Sequence, residues 1–229
     1  LSTLVHEFIG IYVRKLSNLY YNKLFLYRKK KMKYLKKLIK HYINLDKEEW
    51  NALQSKFKKI TIQKGTIVSC AGDIFDEIWI IKKGLARSHF TDLNGKDFTW
   101  QLYFRGKSKH GLNNFMDDSV SYYEQTGSLL NFEILQDSEF YVIKLKELDD
   151  FFETDKKWQY LVRIWLHDTY FAATYKRVVS LMTENSIEKY ERLLDEYPNI
   201  FNQIKSYHIA SFLGIAPQTL SKLRNTKVY

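Results

Sequence analysis

The chain has 229 residues, with 36 Lys and Arg against 26 Asp and Glu, one Cys, two Pro and nine Gly. That length holds one or two domains of about 100–200 residues, and an apolar content of 45% excludes a disordered tail. A single thiol, Cys70, excludes an intramolecular disulfide framework, an all-Cys zinc site and a four-Cys iron–sulfur cluster, and fits a reducing compartment. No run of about 18 uninterrupted apolar residues occurs, so no membrane-spanning helix is expected.

The net charge of +10 is unevenly spread. Residues 1–45 hold eleven Lys and Arg and a single acid, Glu7. Residues 46–196 are net −4, and residues 197–229 carry Lys205, Lys222, Arg224 and Lys227 with no acid. Basic segments favour phosphates or anionic lipid. The first block reads as a solvated leader, which makes the acid-free C-terminal segment the more informative one. The basic cluster Arg28–Lys33 follows the apolar stretch Leu4–Val13 and no small-residue cleavage site is present, unlike a secretory signal. Residues 1–31 are therefore expected to be an upstream extension, with the functional protein starting near Met32; the alternative is an amphipathic helix on a membrane surface.

Asp46-Lys-Glu-Glu49 ahead of Trp50, Leu53 and Phe57 predicts a capped short helix. From Phe57 to about Leu145, β-branched and aromatic residues come in short runs, at Ile60–Ile62, Ile78–Ile81, Phe98–Phe104 and Phe140–Ile143. Turn formers separate them: Lys64-Gly65, Ala71-Gly72-Asp73, Lys83-Gly84 and Asp92–Gly95. Asn94-Gly95 is the strongest hairpin cue, since both residues tolerate positive φ. Strands at this spacing predict an antiparallel sandwich or barrel.

After Asp155 the apolar period becomes helical, through Trp158, Leu161, Val162, Trp165, Ala172, Tyr175, Val179 and Met182. Neither Gly nor Pro interrupts residues 128–197. So long a helix packs either on its own barrel or on a twin. A dimer seam through Trp158, Leu161, Val162 and Trp165 is the favoured expectation, because the length outreaches one small domain face.

The sharpest motif is Ser206–Arg224. Ile209, Leu213, Ile215, Leu220 and Leu223 are spaced to pack two short helices across a tight corner. Ala210 is small where the helices cross, Gly214 sits where the turn needs positive φ, and Pro217 opens the second helix, where its missing N–H costs nothing. That is helix-turn-helix spacing, with Ile209, Ala210, Leu213, Gly214, Leu220 and Leu223 as its scaffold. Placed in a DNA major groove, the second helix would present Gln218, Thr219, Ser221, Lys222, Arg224 and Asn225. Gln can give and accept at adenine, Lys can donate to guanine or phosphate, and Thr219 can bond phosphate. The alternative is an ordinary helical hairpin with a Gly turn. His208 reads as a surface or phosphate-contacting residue.

The chain from about Met32 to Lys227 resembles bacterial transcription regulators of the Crp/Fnr family. The resemblance rests on Lys64-Gly65, Gly72–Asp76, Ile78–Gly84, Asn94-Gly95, Glu188–Leu194 with Pro198, and Ile209–Arg224, in that order and spacing. It implies an α+β chain: an antiparallel, cyclic-nucleotide-binding-like jelly-roll β-barrel over 32–152, a long dimerisation helix over 153–183, and a C-terminal (winged) helix-turn-helix over 184–229, behind the basic extension 1–31. The implied function is transcription regulation in the cytoplasm by a homodimer that reads an inverted repeat in double-stranded DNA. RNA polymerase is a further implied partner; a membrane is not.

Two departures modify these expectations. The family's cyclic-nucleotide binders carry a Gly-Glu pair and a later Arg for the cyclic phosphate. The matching stretch, roughly Arg105–Ser128, has no Gly-Glu and no Arg after Arg105, and it adds Asp117 and Asp118. An unpaired buried phosphate is costly, so cyclic AMP is an unlikely effector and no cofactor is expected. At the reading face, Gln218 and Lys222 stand where relatives often have Glu and Arg; a Lys lacks the planar fork for guanine, so a different operator is expected. Any wing is expected before the recognition helix rather than after it.

An enzyme is not expected. The six His show no His-x-His or His-x-x-x-His spacing, so no metal site is expected; His89, His110 and Asp97 would converge only by chance. Cys70 has no basic neighbour within three residues and reads as a buried, inert thiol. The alternative function is a sensor or scaffold whose helix-turn-helix contacts protein.

Overall fold

The computed structural model describes residues 32–105 and 112–226; the expected leader, 1–31, lies outside the described residues. The chain divides into two compact units, residues 1–55 and 56–229. In the first, helices α1 (Lys33–Tyr42) and α2 (Lys47–Lys56) are joined by a short extended link. Asp46 caps α2 as its sequence suggests: its Oδ1 accepts from the Glu48 and Glu49 amides, both at 2.8 Å, and Glu49 Oε2 accepts from the Asp46 amide at 2.9 Å. That reciprocal pair satisfies donors the helix leaves open. The Lys36 ammonium lies 5.3 Å from the centre of the Trp50 ring.

The second unit begins with an antiparallel sheet of β1 (Lys58–Ile62), β2 (Ile67–Ser69), β3 (Glu77–Thr91), β4 (Asp97–Phe104), β5 (Phe115–Met116) and β6 (Asn131–Lys144). The strand order is β1-β6-β3-β4, with β2 also on β6 and β5 on β3. The sheet is thus jelly-roll-like but open; its end strands β1 and β4 do not pair with each other, and the closed barrel expected from sequence is corrected accordingly. Phe75 stacks on Phe132 at 4.5 Å and Trp79 meets Phe140 edge-on at 5.2 Å in the core that this sheet encloses.

Lys83-Gly84, read as a turn, lies inside the 15-residue strand β3. Gly84 adopts φ +104 and the register with β6 shifts on both sides of it. The Leu85 amide donates to Ser138 Oγ at 3.1 Å across this bulge. A bulge bends a strand without ending it, so β3 and β6 serve both halves of the sheet where separate strands were expected. The Asn94-Gly95 hairpin forms, by a different turn from the two-residue one. Only Gly95 has positive φ, at +76, and the Asp92 amide donates to the Lys96 carbonyl at 3.0 Å, leaving a three-residue loop. Cys70 is exposed, not buried, in the turn that Asp73 closes by accepting the Cys70 amide at 2.9 Å.

Between β5 and β6 lies a short helix, α3 (Ser119–Glu124). After β6 come α4 (Leu145–Phe152) and a helical run of α5 (Lys156–Trp165), a π-helical segment (Leu166–Phe171) and α6 (Ala172–Thr183). The expected long helix is therefore present but carries a π segment that periodicity did not signal. Asp155 caps α5 by accepting the Lys157 amide at 2.9 Å. Among the described residues no strand follows Lys144, so the wing allowed for before the recognition helix is not found there.

Gly84→Ala tests the bulge. A Cβ there would lie 2.7 Å from Ser138 Cα, on a backbone that L side chains rarely adopt. We expect about 2–4 kcal/mol of destabilisation in urea unfolding, not rescued by Ser138→Gly, because the nearest backbone atom stays in place.

Candidate nucleic-acid interface and the cavity beside it

The C-terminal helices are α7 (Ser186–Glu196), α8 (Ser206–Leu213) and α9 (Pro217–Thr226), with a 3-10 turn at Ile200–Asn202. Asn185 and Glu188 form a capping box at the start of α7. Gly214 ends α8 in the left-handed conformation, φ 66 and ψ 32, and the Ile215 amide reaches back to the Ala210 carbonyl at 3.0 Å. That closure turns the chain sharply into α9, where Pro217 takes the first position. Ile209, Ala210, Leu213 and Leu220 are fully buried, with Leu223 partly so. They share one core with Tyr190, Leu193, Ile200 and Ile204.

Of the residues expected to meet DNA, Gln218, Ser221, Lys222 and Asn225 are exposed on α9 and Thr219 is half-buried. Arg224 is exposed but engaged: Nη1 donates to Ser206 Oγ at 2.8 Å and the guanidinium lies 4.4 Å from the Phe201 ring centre. It ties α9 to the start of α8. No acid occurs in residues 197–226, a composition that suits contact with a polyanion.

The helical core continues into the sheet through Leu85, Leu102, Phe104 and Leu135. One polar residue, Ser211 on α8, spans the junction. Its Oγ accepts from the Thr99 amide at 2.9 Å and donates to the Asp97 carbonyl at 3.0 Å. Beneath it, Arg87 donates through Nε to Glu133 at 2.6 Å and through Nη2 to Asp97 at 2.7 Å. Burial works to raise the Asp97 carboxyl, but the bonds from Arg87 and Thr91 outweigh it and hold the group below the usual carboxylate range.

His89 sits 3.7 Å from Asp97 and 3.8 Å from Glu133. The convergence that sequence reading left to chance does occur for His89 and Asp97, whereas His110 lies outside the described residues. The Arg87 guanidinium takes both carboxylates, and among the described residues no group of three ligands is placed to hold a metal. Burial, then the Arg87 charge, lowers the affinity of both His89 and His208 for a proton. His208, expected at the surface, is half-buried and lies within the field of this cluster.

Beside the junction is a cavity of about 710 Å³ between the sheet, α3 and the π segment with α6. Trp100, Tyr103 and Phe115 line it from one side, Leu166, Phe171 and Val178 from the other. Its charged residues are Asp117, Asp118 and Arg177, and Gln101, Ser119, Tyr170 and Thr174 add polar groups. Asp118 is satisfied, accepting the Ser121 amide at 3.1 Å and the Ser128 hydroxyl at 2.6 Å. Asp117 takes the Tyr170 hydroxyl on Oδ1, and burial pushes its carboxyl up to about 6. Arg177 Nη2 donates to the Thr99 carbonyl at 3.0 Å and the Phe212 carbonyl at 2.9 Å. Its guanidinium lies 3.9 Å from the Phe212 ring centre, with Phe98 and Trp100 at 5.8 and 5.7 Å. Burial, then the charge of Arg192, pulls its affinity for the proton down to about 9.

No family profile and no curated protein sequence matches the chain. Solved structures do. FixK2 from Bradyrhizobium japonicum superposes with a TM-score of 0.61 at 12% identity, covering 74% of this chain and 83% of its own. CLP from Xanthomonas campestris, described as a c-di-GMP responsive global regulator, gives 0.59 at 11%, covering 79% and 91%. A transcriptional regulator of the crp/fnr family from Eubacterium rectale gives 0.55 at 15%, covering 80% and 83%. The chain has the Crp/Fnr fold.

Within that Crp/Fnr fold, sequence reading had singled out the helix-turn-helix but not Arg177 or Tyr170. Both lie in the helical run, where an isolated Arg or Tyr looks like any solvated position. Of the residues assigned to a dimer seam, Trp158 is 3% exposed and packs on Phe151 at 5.3 Å, Leu161 and Val162 are half-buried, and the Trp165 side chain lies outside the described residues. Ser211→Val tests the junction. It removes the hydroxyl shared by Thr99 and Asp97 and should cost about 1–3 kcal/mol, with faster amide hydrogen exchange at Thr99 and in α8 as the local readout.

Proposed function

We propose that the protein is a sequence-specific, DNA-binding transcription regulator acting in the cytoplasm as a homodimer, with α9 entering the major groove at each half of an inverted repeat. The observation that carries this reading is α9 itself: a buried apolar scaffold props up a helix whose outer face is Gln218, Ser221, Lys222 and Asn225, on a segment without acids. The fold shared with FixK2 and CLP supports it. No helix among the described residues is long and apolar enough to cross a membrane.

Pairing is supported by an apolar stripe the chain leaves uncovered. Phe171, Tyr175 and Met182 are 68%, 62% and 80% exposed, with Val178 between them at 39%. Their steps of four, three and four residues are those of a coiled-coil seam, and Phe171 and Tyr175 already stack at 6.3 Å. These residues support a seam later on the helix than Trp158. Asp117 and Asp118, beside the cavity, disfavour a cyclic phosphate there.

A gel shift on selected duplexes, titrated with salt, tests DNA binding. Affinity should fall linearly with salt on logarithmic axes, whereas protein docking on an apolar face would not; no binding to any duplex at low salt refutes the reading. Lys222→Ala should weaken binding by about 1–3 kcal/mol and relax base choice at one position per half-site. Unchanged site selection would remove Lys222 from the reading face.

Tyr175→Glu with Met182→Glu should give monomers in sedimentation equilibrium, since charges on such a seam are buried without partners. A variant that still dimerises places the seam elsewhere.

A further inference from the structure

A second basic surface lies on α1, outside the helix-turn-helix. Lys33, Lys36, Lys37 and Lys40 follow steps of three, one and three residues, which set them along one side of the helix, and all four are exposed. Lys36 is engaged over the Trp50 ring. Lys33, Lys37 and Lys40 take part in no ion pair among the described residues. No acid occurs in residues 8–45, and four more bases, at positions 28–31, precede the helix in sequence. Like charges one turn apart repel each other on a helix, so contact with a polyanion favours this side.

The other side of α1 indicates which polyanion. Leu35 within the helix and Met32 and Ile43 at its ends are buried, and Ile39 and Tyr42 are half-buried. A helix that lies in a membrane surface needs a free apolar face to sink among the acyl chains, and here that face is already covered. What stays outside is charge on flexible stems, which suits phosphates rather than base edges. From Lys33 to Lys40 the helix advances about 10 Å, the rise of about three nucleotides along one strand of a duplex.

We propose that α1 is a second nucleic-acid contact, gripping the phosphate backbone of double-stranded DNA through Lys33, Lys37 and Lys40 without regard to sequence. This contact adds affinity for any duplex, while choice among sequences stays with α9. That the polyanion is DNA rests on the proposed regulatory function; that the surface takes phosphates does not.

The test uses the full-length protein with the selected duplex, an arbitrary duplex without the selected site, and vesicles of phosphatidylcholine and phosphatidylserine. Affinity is followed by fluorescence anisotropy as salt is raised. Lys33→Gln, Lys37→Gln and Lys40→Gln together should reduce the steepness of log affinity against log salt by about 2–3 on both duplexes. Base preference on the selected duplex should not change, and the three corresponding Lys→Arg substitutions should keep the full slope. In the unaltered protein, the arbitrary duplex should protect these three lysines from acetylation, read by mass spectrometry, and leave the exposed Lys146 reactive. That measurement keeps the proposal testable even if the Gln variant does not fold. An unchanged slope, unprotected lysines, or binding to the vesicles and not to the arbitrary duplex overturns the proposal. The two DNA contacts fail separately. If α9 is not the reader, Lys222→Ala leaves site choice unchanged while the Gln variant still flattens the slope; if α1 makes no contact, the slope holds while Lys222→Ala still relaxes base choice.

Discussion

Arg177 reaches from α6 into a slot between Phe98, Trp100 and Phe212 and gives Nη2 to one carbonyl on β4 and another at the end of α8. Three elements that share no continuous backbone bonding are thereby joined at one atom. A guanidinium suits this place where an ammonium would not. Its planar fork bonds two acceptors in fixed directions while its face lies on aromatic rings. Burial of the guanidinium, then the charge of Arg192, lowers its proton affinity.

The neighbouring cluster resolves the same problem differently. Arg87 is 4% exposed, but it has Glu133 and Asp97 on two of its nitrogens. With its charge neutralised in place, the cluster reads as structural: it fixes the register of β3 against β4 and β6 under the α8 junction. The apolar core above it supplies the larger stabilisation, since each fully buried aliphatic side chain is worth about 1.5–3 kcal/mol, against about 1 kcal/mol for a typical hydrogen bond. The polar groups decide which way the helices sit; the apolar ones decide that they sit at all.

Within one molecule, Arg87 is held by two carboxylates and Arg177 by main-chain carbonyls. The π segment contributes to the cavity wall, because the extra residue in its turn offsets the helix and Tyr170 meets Asp117 there. The wall also borders the exposed stripe of Phe171 and Tyr175, so the cavity, that stripe and the hold on α8 lie along one stretch of helix.

How much of this was legible beforehand follows from the range of each interaction. The helix cap at Asp46, the Gly214 corner and the Asp92–Lys96 hairpin are set by bonds within about five residues, and short-range patterns display them directly. The period of Ile209, Leu213, Leu220 and Leu223 exposed the helix-turn-helix because a buried face must repeat with the helix. Lys83-Gly84 misled for a definite reason: a left-handed Gly looks the same in sequence whether it closes a turn or bends a strand, and only Ser138, far along the chain, distinguishes the two. An open sheet was equally hidden, since alternation within strands says nothing about whether the outermost two meet. Arg177 and Tyr170 could not be picked out, as a charge or hydroxyl gains its meaning from partners that the chain brings near only on folding. The amino-acid order by itself determined where strands give way to helices, the helix-turn-helix and its acid-free segment, all carried by local bonding and periodicity; the tertiary structure alone decided where a strand runs on through a bulge, which polar groups are buried, which are paired, and where a cavity is left between them.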